Sequence, residues 1–295
     1  VTIKDRDDHL VGTAREVAVG VKLSALPSII TSNTSGATAI SSVIVEAPDL
    51  HIWQLADESW SVEKLVKPSD PNKSGSFDGS ITIHDGRIAV RTKDGLKRNV
   101  ESLDGTMALN MGGMSKGAFT ADIDGSSVVL NGTIDMDHVS NFDLFVQADE
   151  IDTAGFMSFV PLRKDLSVTG GKLQDLHLNV KSEDGNYIMS GNVGFKGLTG
   201  TYKRGNTIYN ITDGTGRIML NRDQIVISRS SWRVNDQVAK VNGLVTLGKE
   251  EEYLNLNVVA DKVALEALTD VGITGVVGGR AHIGGTTVAP RVDAT

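Results

Sequence analysis

The sequence predicts an all-β protein built from repeating antiparallel hairpins, and three observations carry this prediction. Apolar residues alternate with polar ones over many short runs, which is the pattern of a strand with one apolar face. Seven Asp-Gly dipeptides, typical of tight turns, punctuate these runs. A pentad of the form Gly-x-apolar-x-apolar also recurs, and it begins at Gly79, Gly105, Gly132, Gly191, Gly216, Gly243 and Gly279.

The spacing of the pentads suggests how the repeats are built. Successive pentads are 26, 27, 59, 25, 27 and 36 residues apart. A step near 26 accommodates two strands of about nine residues with their turns, so we expect one hairpin per repeat. We expect the longest step to hold two units and an insertion that includes residues 152–162.

A different pattern precedes the repeats, over Ile40–Val66. Val43 and Val45 lie on one face of a predicted strand, which Pro48 interrupts. Because proline cannot donate to a strand ladder, we expect it at a strand start or a bulge. A second strand then carries Trp53, and a polar corner leads to Trp60.

These patterns divide the chain into three regions within one continuous β structure. Residues 1–66 hold the N-terminal strands and the corner, and residues 77–295 hold the hairpin repeats. Between them, residues 67–76 (KPSDPNKSGS) predict a flexible loop. The chain begins without Met inside an alternating run, so we expect it to be part of a longer protein.

Composition excludes several classes of function. The net charge of −8 argues against a nucleic-acid partner, which requires a basic surface. The absence of cysteine excludes disulfides and cysteine-based metal sites. No stretch approaches the roughly 18 to 20 apolar residues of a membrane span, and no polybasic run marks the chain as a membrane-surface protein.

We expect no enzyme activity, cofactor or metal. The run Gly113–Gly117 matches G-x-S-x-G, but a nucleophile elbow needs a strand before it and a helix after it. Strand-like alternation flanks both sides here, so a hairpin loop is expected. The six histidines are too far apart in sequence for a paired metal motif. Asp135 and Asp137 fit a strand that leads into a polar turn.

The pattern over Ile40–Val66 resembles TamB-like members of the AsmA-like superfamily. The run IGGTTVAPRVDA (Ile283–Ala294) is similar to the Gly-Thr…Pro-x-Val step between repeats of that family. The resemblance implies an elongated sheet curled into a hydrophobic groove (a β-taco) that shields phospholipid acyl chains between the inner and outer membranes. It also implies a periplasmic location and an inner-membrane anchor outside this chain. An alternative within the family is templating of outer-membrane protein assembly with a TamA- or BamA-like β-barrel partner.

The alternating pentads supply the candidate lining of such a groove. An apolar face this long needs cover, which a two-sheet sandwich, a solenoid closed on itself or a ligand-filled groove would provide. The first two imply a dry core, as in a structural solenoid or adhesin. The candidate residues are Ile81, Ile83, Met107, Leu109, Ile134, Met136, Val193, Phe195, Ile218, Leu220, Val245 and Leu247.

Overall fold

The fold is known from a computed structural model that describes most of the chain. It describes residues 1–4, 10–25, 39–56, 61, 78–93, 95, 97–110, 113–138, 140–153, 165–183, 186–204, 207–248, 251–264 and 275–295. Trp60, the predicted loop 67–76 and most of the predicted insertion 152–162 lie outside these residues.

The all-β prediction is confirmed, since the described residues form eighteen strands and one 3-10 helix, Leu23–Ala25. The strands are β1 (Thr2–Lys4), β2 (Leu10–Thr13), β3 (Glu16–Val21), β4 (Ile40–Glu46), β5 (Asp49–Trp53), β6 (Asp78–Arg91), β7 (Lys97–Asn110), β8 (Met114–Ile123), β9 (Ser126–Asp135), β10 (Phe142–Asp152), β11 (Leu166–Glu183), β12 (Asn186–Arg204), β13 (Thr207–Asn221), β14 (Gln224–Val234), β15 (Gln237–Leu247), β16 (Glu252–Ala264), β17 (Val276–Thr286) and β18 (Pro290–Ala294). In this part of the chain, no helix has the length and apolar character needed to cross a membrane.

The chain folds into two compact units. The first comprises residues 1–146 and 180–187, and the second comprises residues 147–179 and 188–295. In the first unit, β6 to β9 pair in chain order as antiparallel neighbours. In the second unit, β12 to β18 do the same. The predicted antiparallel hairpins therefore form the body of each unit.

One part of the first unit departs from the antiparallel pattern. Both β4 and β5 pair parallel to β6, one after the other along the same edge. Pro48 lies between them, where its carbonyl accepts a hydrogen bond from the Arg87 amide at 2.6 Å. The preceding residue, Ala47, has a φ of 45° and donates to the His84 carbonyl at 2.8 Å. Pro48 thus occupies the break between two strands, as the sequence predicts.

The second unit repeats the strand pattern of the first at an offset of about 111 residues. Gly191, Gly216 and Gly243 follow Gly79, Gly105 and Gly132 by 112, 111 and 111 positions. In the first unit, the three glycines lie on β6, β7 and β9 in turn. In the second unit, they lie on β12, β13 and β15. The prediction of one hairpin per repeat is therefore wrong for β6/β7 and β12/β13, because their strands of 14 to 19 residues are longer than expected.

The same offset applies to the β-bulges. The register shifts around Gly86 between β6 and β7, and around Leu198 between β12 and β13. Positive φ angles of 51° and 52° recur at Ser102 and Asp213, which lie 111 residues apart beside the next register shifts. A bulge bends its strand and increases the local twist, so both units bend their strands at matching positions.

Most of the described Asp-Gly dipeptides do not form the predicted tight turns. Asp124-Gly125 connects β8 to β9 with φ angles of 49° and 81°. By contrast, Asp85 and Asp213 adopt positive φ angles inside strands, at bulges. Asp78 and Asp104 lie within strands with no turn at all. Because aspartate tolerates the left-handed region, the same dipeptide serves bulges as readily as turns.

Few apolar side chains are fully buried, although the strands alternate clearly. In β7 the larger aliphatic side chains and Met107 are half-buried, and in β16 Leu254, Leu256 and Val258 are half-buried, whereas the polar residues between them are exposed. Half-burial of this kind leaves much of each apolar face within reach of water. Among the described residues, the buried apolar side chains are Val11, Ala14, Ala39, Val128, Ala148, Ile151, Leu176 and Phe195.

Candidate functional site

The second unit carries an aliphatic face that crosses its whole antiparallel ladder. Directly opposed residues on neighbouring strands point to the same side of a sheet, so the register identifies the residues that share a face. One row of directly opposed residues consists of Val193, Ile218, Ile227, Gly243, Leu256, Ile283 and Val292. The next row contains Leu220, Ile225, Val245 and Leu254.

These side chains form a partly open surface. Of the six candidate residues in this unit, Phe195 is buried at 3% exposure and Leu247 is exposed at 39%. The other four, Val193, Ile218, Leu220 and Val245, are half-buried. On the opposite side of β13, Met219 is 49% exposed. The predicted alternation of inward and outward residues along the GRIML strand is therefore observed.

Two aromatic rings pack where the strands of this unit bulge. The ring centroids of Phe195 and Trp232 lie 4.9 Å apart with an interplanar angle of 30°. The rings have room because glycines lie beneath them. A Cβ on Gly216 would come within 2.8 Å of the Phe195 ring, and one on Gly214 within 2.5 Å of the Trp232 ring. Gly216, which opens a pentad, and Gly214 thus give space to the two rings.

Beyond the bulge, the same face of the second unit forms an open pocket of about 400 Å³. Its lining consists of Leu166, Tyr202, Tyr209, Ile211 and Val234. The two tyrosine rings stack with centroids 6.1 Å apart. A pocket of this size and apolar character falls within the range of small-molecule sites. Sequence analysis missed these residues because the bulge shifts the alternation between the pentad and the strand end.

The first unit places four of its candidates around one pair of strands. Ile81 lies directly opposite Met107, and Ile83 and Leu109 face the pentad glycines Gly105 and Gly79. All four candidate side chains are half-buried.

The other two candidates of the first unit lie further along the ladder. Ile134 is opposite Ser115 on the same face, and Met136 follows the end of β9. Both are half-buried. The six candidates of this unit thus extend over three strands and one strand end.

Ser115 is a structural residue within the G-x-S-x-G run. Met114–Ile123 is strand β8, so this run lies mainly in a strand and the predicted hairpin loop is wrong there. The Ser115 side chain is fully buried, and its hydroxyl accepts a hydrogen bond from the Asn110 amide at 2.9 Å. It also donates to the Asn110 carbonyl at 3.4 Å. A nucleophile elbow presents an exposed serine at a strand-to-helix turn, and Ser115 has neither feature.

Residues 135–138 form an acidic turn after β9, and a side chain of this turn accepts hydrogen bonds from its backbone amides. The Asp135 carboxylate accepts hydrogen bonds from the amides of Asp137 at 3.0 Å and His138 at 3.3 Å. The Asp137 amide is the main cause of a lowered Asp135 pKa, with the His138 amide and ring contributing further. The described residues contain no group of three or more His, Cys, Asp or Glu side chains placed to hold a metal ion.

Comparison with known proteins finds no matching family model, no matching curated protein and no matching solved structure. The aliphatic faces of the two units are therefore the features from which a function is inferred.

Proposed function

We propose that this is a non-enzymatic, TamB-like protein of the cell envelope that carries phospholipids with their acyl chains against the aliphatic faces. The head groups would stay in water while the chains lie on the face of each unit. Transfer would then be passive, because no covalent step is needed to move a chain along an apolar surface.

The observation that carries this proposal is the aliphatic face of the second unit, which crosses seven strands and is half-buried except at its last residue, the exposed Val292. Mobile acyl chains require apolar area and no fixed hydrogen bonds, and Val, Ile and Leu side chains provide that. Burial of a methylene group is favourable by about 0.8 kcal/mol. A sixteen-carbon chain covered on one side would gain on the order of 6 kcal/mol from such a surface. That gain is enough to offset much of the cost of taking a chain out of a bilayer.

The location and partners in this proposal come from the family resemblance. The protein would bridge the periplasm from an inner-membrane anchor that lies outside this chain. Its outer-membrane partner would be a TamA- or BamA-like β-barrel. Localisation by cell fractionation, and cross-linking to outer-membrane barrels, test these two statements separately from lipid binding.

Lipid mass spectrometry of the purified protein tests the central statement. Expressed in the envelope of a Gram-negative host, the protein should retain glycerophospholipids that a mock purification lacks. A second measurement uses phospholipids brominated in mid-chain, which quench tryptophan at close range. Because Trp232 packs against Phe195 on the aliphatic face, its emission should be quenched. The Trp232→Phe variant identifies its share of the signal. Absence of both retained lipid and quenching would refute the proposal.

A further inference from the structure

A cationic cavity lies at the far end of β6 and β7 in the first unit. Its volume is about 420 Å³, and its lining includes His51, Trp53, Ala89, Arg91, Lys97 and Asn99. These residues form two neighbouring rows of the sheet: His51, Ala89 and Asn99 in one, and Trp53, Arg91 and Lys97 in the other. Both rows share one face, because positions two apart along a strand point to the same side.

Two of the three Lys and Arg residues that line this cavity, Arg91 and Lys97, are placed unfavourably for stability. Arg91 lies directly opposite Lys97, and like charges directly opposed across two strands destabilise a sheet. Both side chains are exposed, and neither forms an ion pair within the part of the chain that the structure describes. Lys97 is followed by Arg98, whose guanidinium is ion-paired with Asp124 at 3.5 Å. The run 91–98 (RTKDGLKR) holds four cations and one carboxylate in a chain of net charge −8.

The shared fold of the two units does not require this pair of charges. At offsets of 112 and 111 residues, the positions equivalent to Arg91 and Lys97 in the second unit are Lys203 and Ile208, which also lie directly opposite each other. One of the two cations is absent there, and an aliphatic residue takes its place. The second unit thus has no opposed pair of like charges at this position. An unfavourable pair that the shared fold does not require is typical of a functional position.

We propose that Arg91 and Lys97 bind the phosphate of an anionic phospholipid headgroup. A guanidinium binds two phosphate oxygens at once, and an ammonium adds a point charge. Asn99 supplies a further donor, and the small side chain of Ala89 leaves the space between them open. Trp53 forms an amphipathic wall of the kind found at membrane–water interfaces. The choice of a phospholipid over other phosphates rests on the proposed function.

Vesicle flotation tests this site with the whole chain. The probes are vesicles of phosphatidylcholine with and without one-quarter phosphatidylglycerol, and inorganic phosphate as a competitor. The variants are Arg91→Gln and Lys97→Gln, alone and together. Lys116→Gln is the control, because Lys116 is an exposed cation on β8 in the same unit. Near an anionic surface each lost charge should weaken binding about fivefold, and the double variant about thirtyfold. Binding should also weaken with salt.

The outcomes separate this site from the aliphatic face. Selective binding of the anionic vesicles, lost in the double variant and kept in Lys116→Gln, supports the site. Equal loss in the control, or no loss in the double variant, overturns it. Binding of inorganic phosphate without vesicle binding also overturns the assignment to a headgroup. Lipid retained by the purified wild type is a separate measurement, so failure of the acyl-chain proposal leaves the flotation result unchanged.

Discussion

Val193 lies directly opposite Ile218 across β12 and β13. The two residues are the centres of two pentads that run in opposite directions. This pairing brings the glycine of each pentad opposite the fifth residue of the other, Gly191 with Leu220 and Gly216 with Phe195. One short motif therefore builds an aliphatic face, and its glycine at position 216 also leaves space for the Phe195 ring.

Gly214→Ala should destabilise the second unit by crowding the aromatic pair. A Cβ on Gly214 would lie 2.5 Å from the Trp232 ring, so the ring must move away from Phe195. We expect a cost of about 1–3 kcal/mol, as for other overpacked sites, and altered tryptophan emission. Urea denaturation followed by fluorescence measures both effects.

Gly284→Ala is the control for this substitution. Gly284 also lies in a strand, but the atoms nearest its hypothetical Cβ are 3.4 Å or more away. Its free energy of unfolding should change by no more than about 0.5 kcal/mol. Equal destabilisation by the two substitutions would contradict the packing account.

Ser115→Ala should affect stability and not catalysis. The substitution leaves the partly buried backbone amide of Asn110 without its hydroxyl acceptor, which should cost about 0.5–1.5 kcal/mol. Thermal denaturation measures this loss. Hydrolysis of a p-nitrophenyl ester by the wild type should not exceed that of the variant. A hydrolytic activity that disappears with Ser115 would show that the G-x-S-x-G run is catalytic.

Glu150 should make stability depend on pH in the acid range. Its carboxylate accepts hydrogen bonds from Lys172 and, at 3.2 Å, from Gln174, and the Lys172 bond is the main cause of its lowered pKa. A lowered folded pKa means that the contribution is complete above the ordinary value of 4.5 and is lost as the pH falls through the folded value. Melting temperatures measured from neutral pH to pH 3 should therefore fall less steeply in Glu150→Gln than in the wild type.

Lys172 should make stability depend on pH in the alkaline range, and Asp149→Asn is the control for Glu150→Gln. Glu150 raises the pKa of Lys172, so that contribution is present below the ordinary value of 10.5 and is lost as the pH rises through the raised value. Asp149 is exposed on the same strand and forms no ion pair with any described residue. Asp149→Asn should keep the acid dependence of the wild type. An unchanged profile in Glu150→Gln would contradict the assignment.

Strand alternation was readable from the sequence because the side-chain period of a strand is two residues. Ile218 and Leu220 point one way and Met219 the other, as the letters of GRIML indicate. The 111-residue offset was also visible in the pentad positions, but steps between neighbouring pentads concealed it. Pro48 was placed correctly because proline has no amide hydrogen to donate.

Register and bulges were not readable in the same way. Ser102 and Asp213 adopt positive φ angles inside strands, and nothing local distinguishes them from turn residues. The parallel pairing of β4 and β5 with β6 joins positions about 40 residues apart, and alternation carries no information about strand direction. The opposition of Arg91 and Lys97 appears only when the hairpin register is known.

The design of the decisive substitution follows from the two faces of β13. Ile218→Asp places a carboxylate on the half-buried aliphatic face, and Met219→Asp places one on the opposite, exposed face of the same strand. Arg217 is unsuitable as a control because its guanidinium donates to the Asp175 carboxylate at 2.7 Å. Arg217→Asp would break that ion pair and add a repulsion.

Lipid content of Ile218→Asp and Met219→Asp, measured beside their free energies of unfolding, tests the central claim most directly. On a partly open face the new carboxylate reaches water once lipid has left, so Ile218→Asp should remain folded with a loss of about 2 kcal/mol or less. It should retain little lipid, because each passing chain must desolvate the charge, whereas Met219→Asp should match the wild type. A wild type without lipid, together with an Ile218→Asp variant that unfolds outright, would show that this face is a dry core and contradict the account.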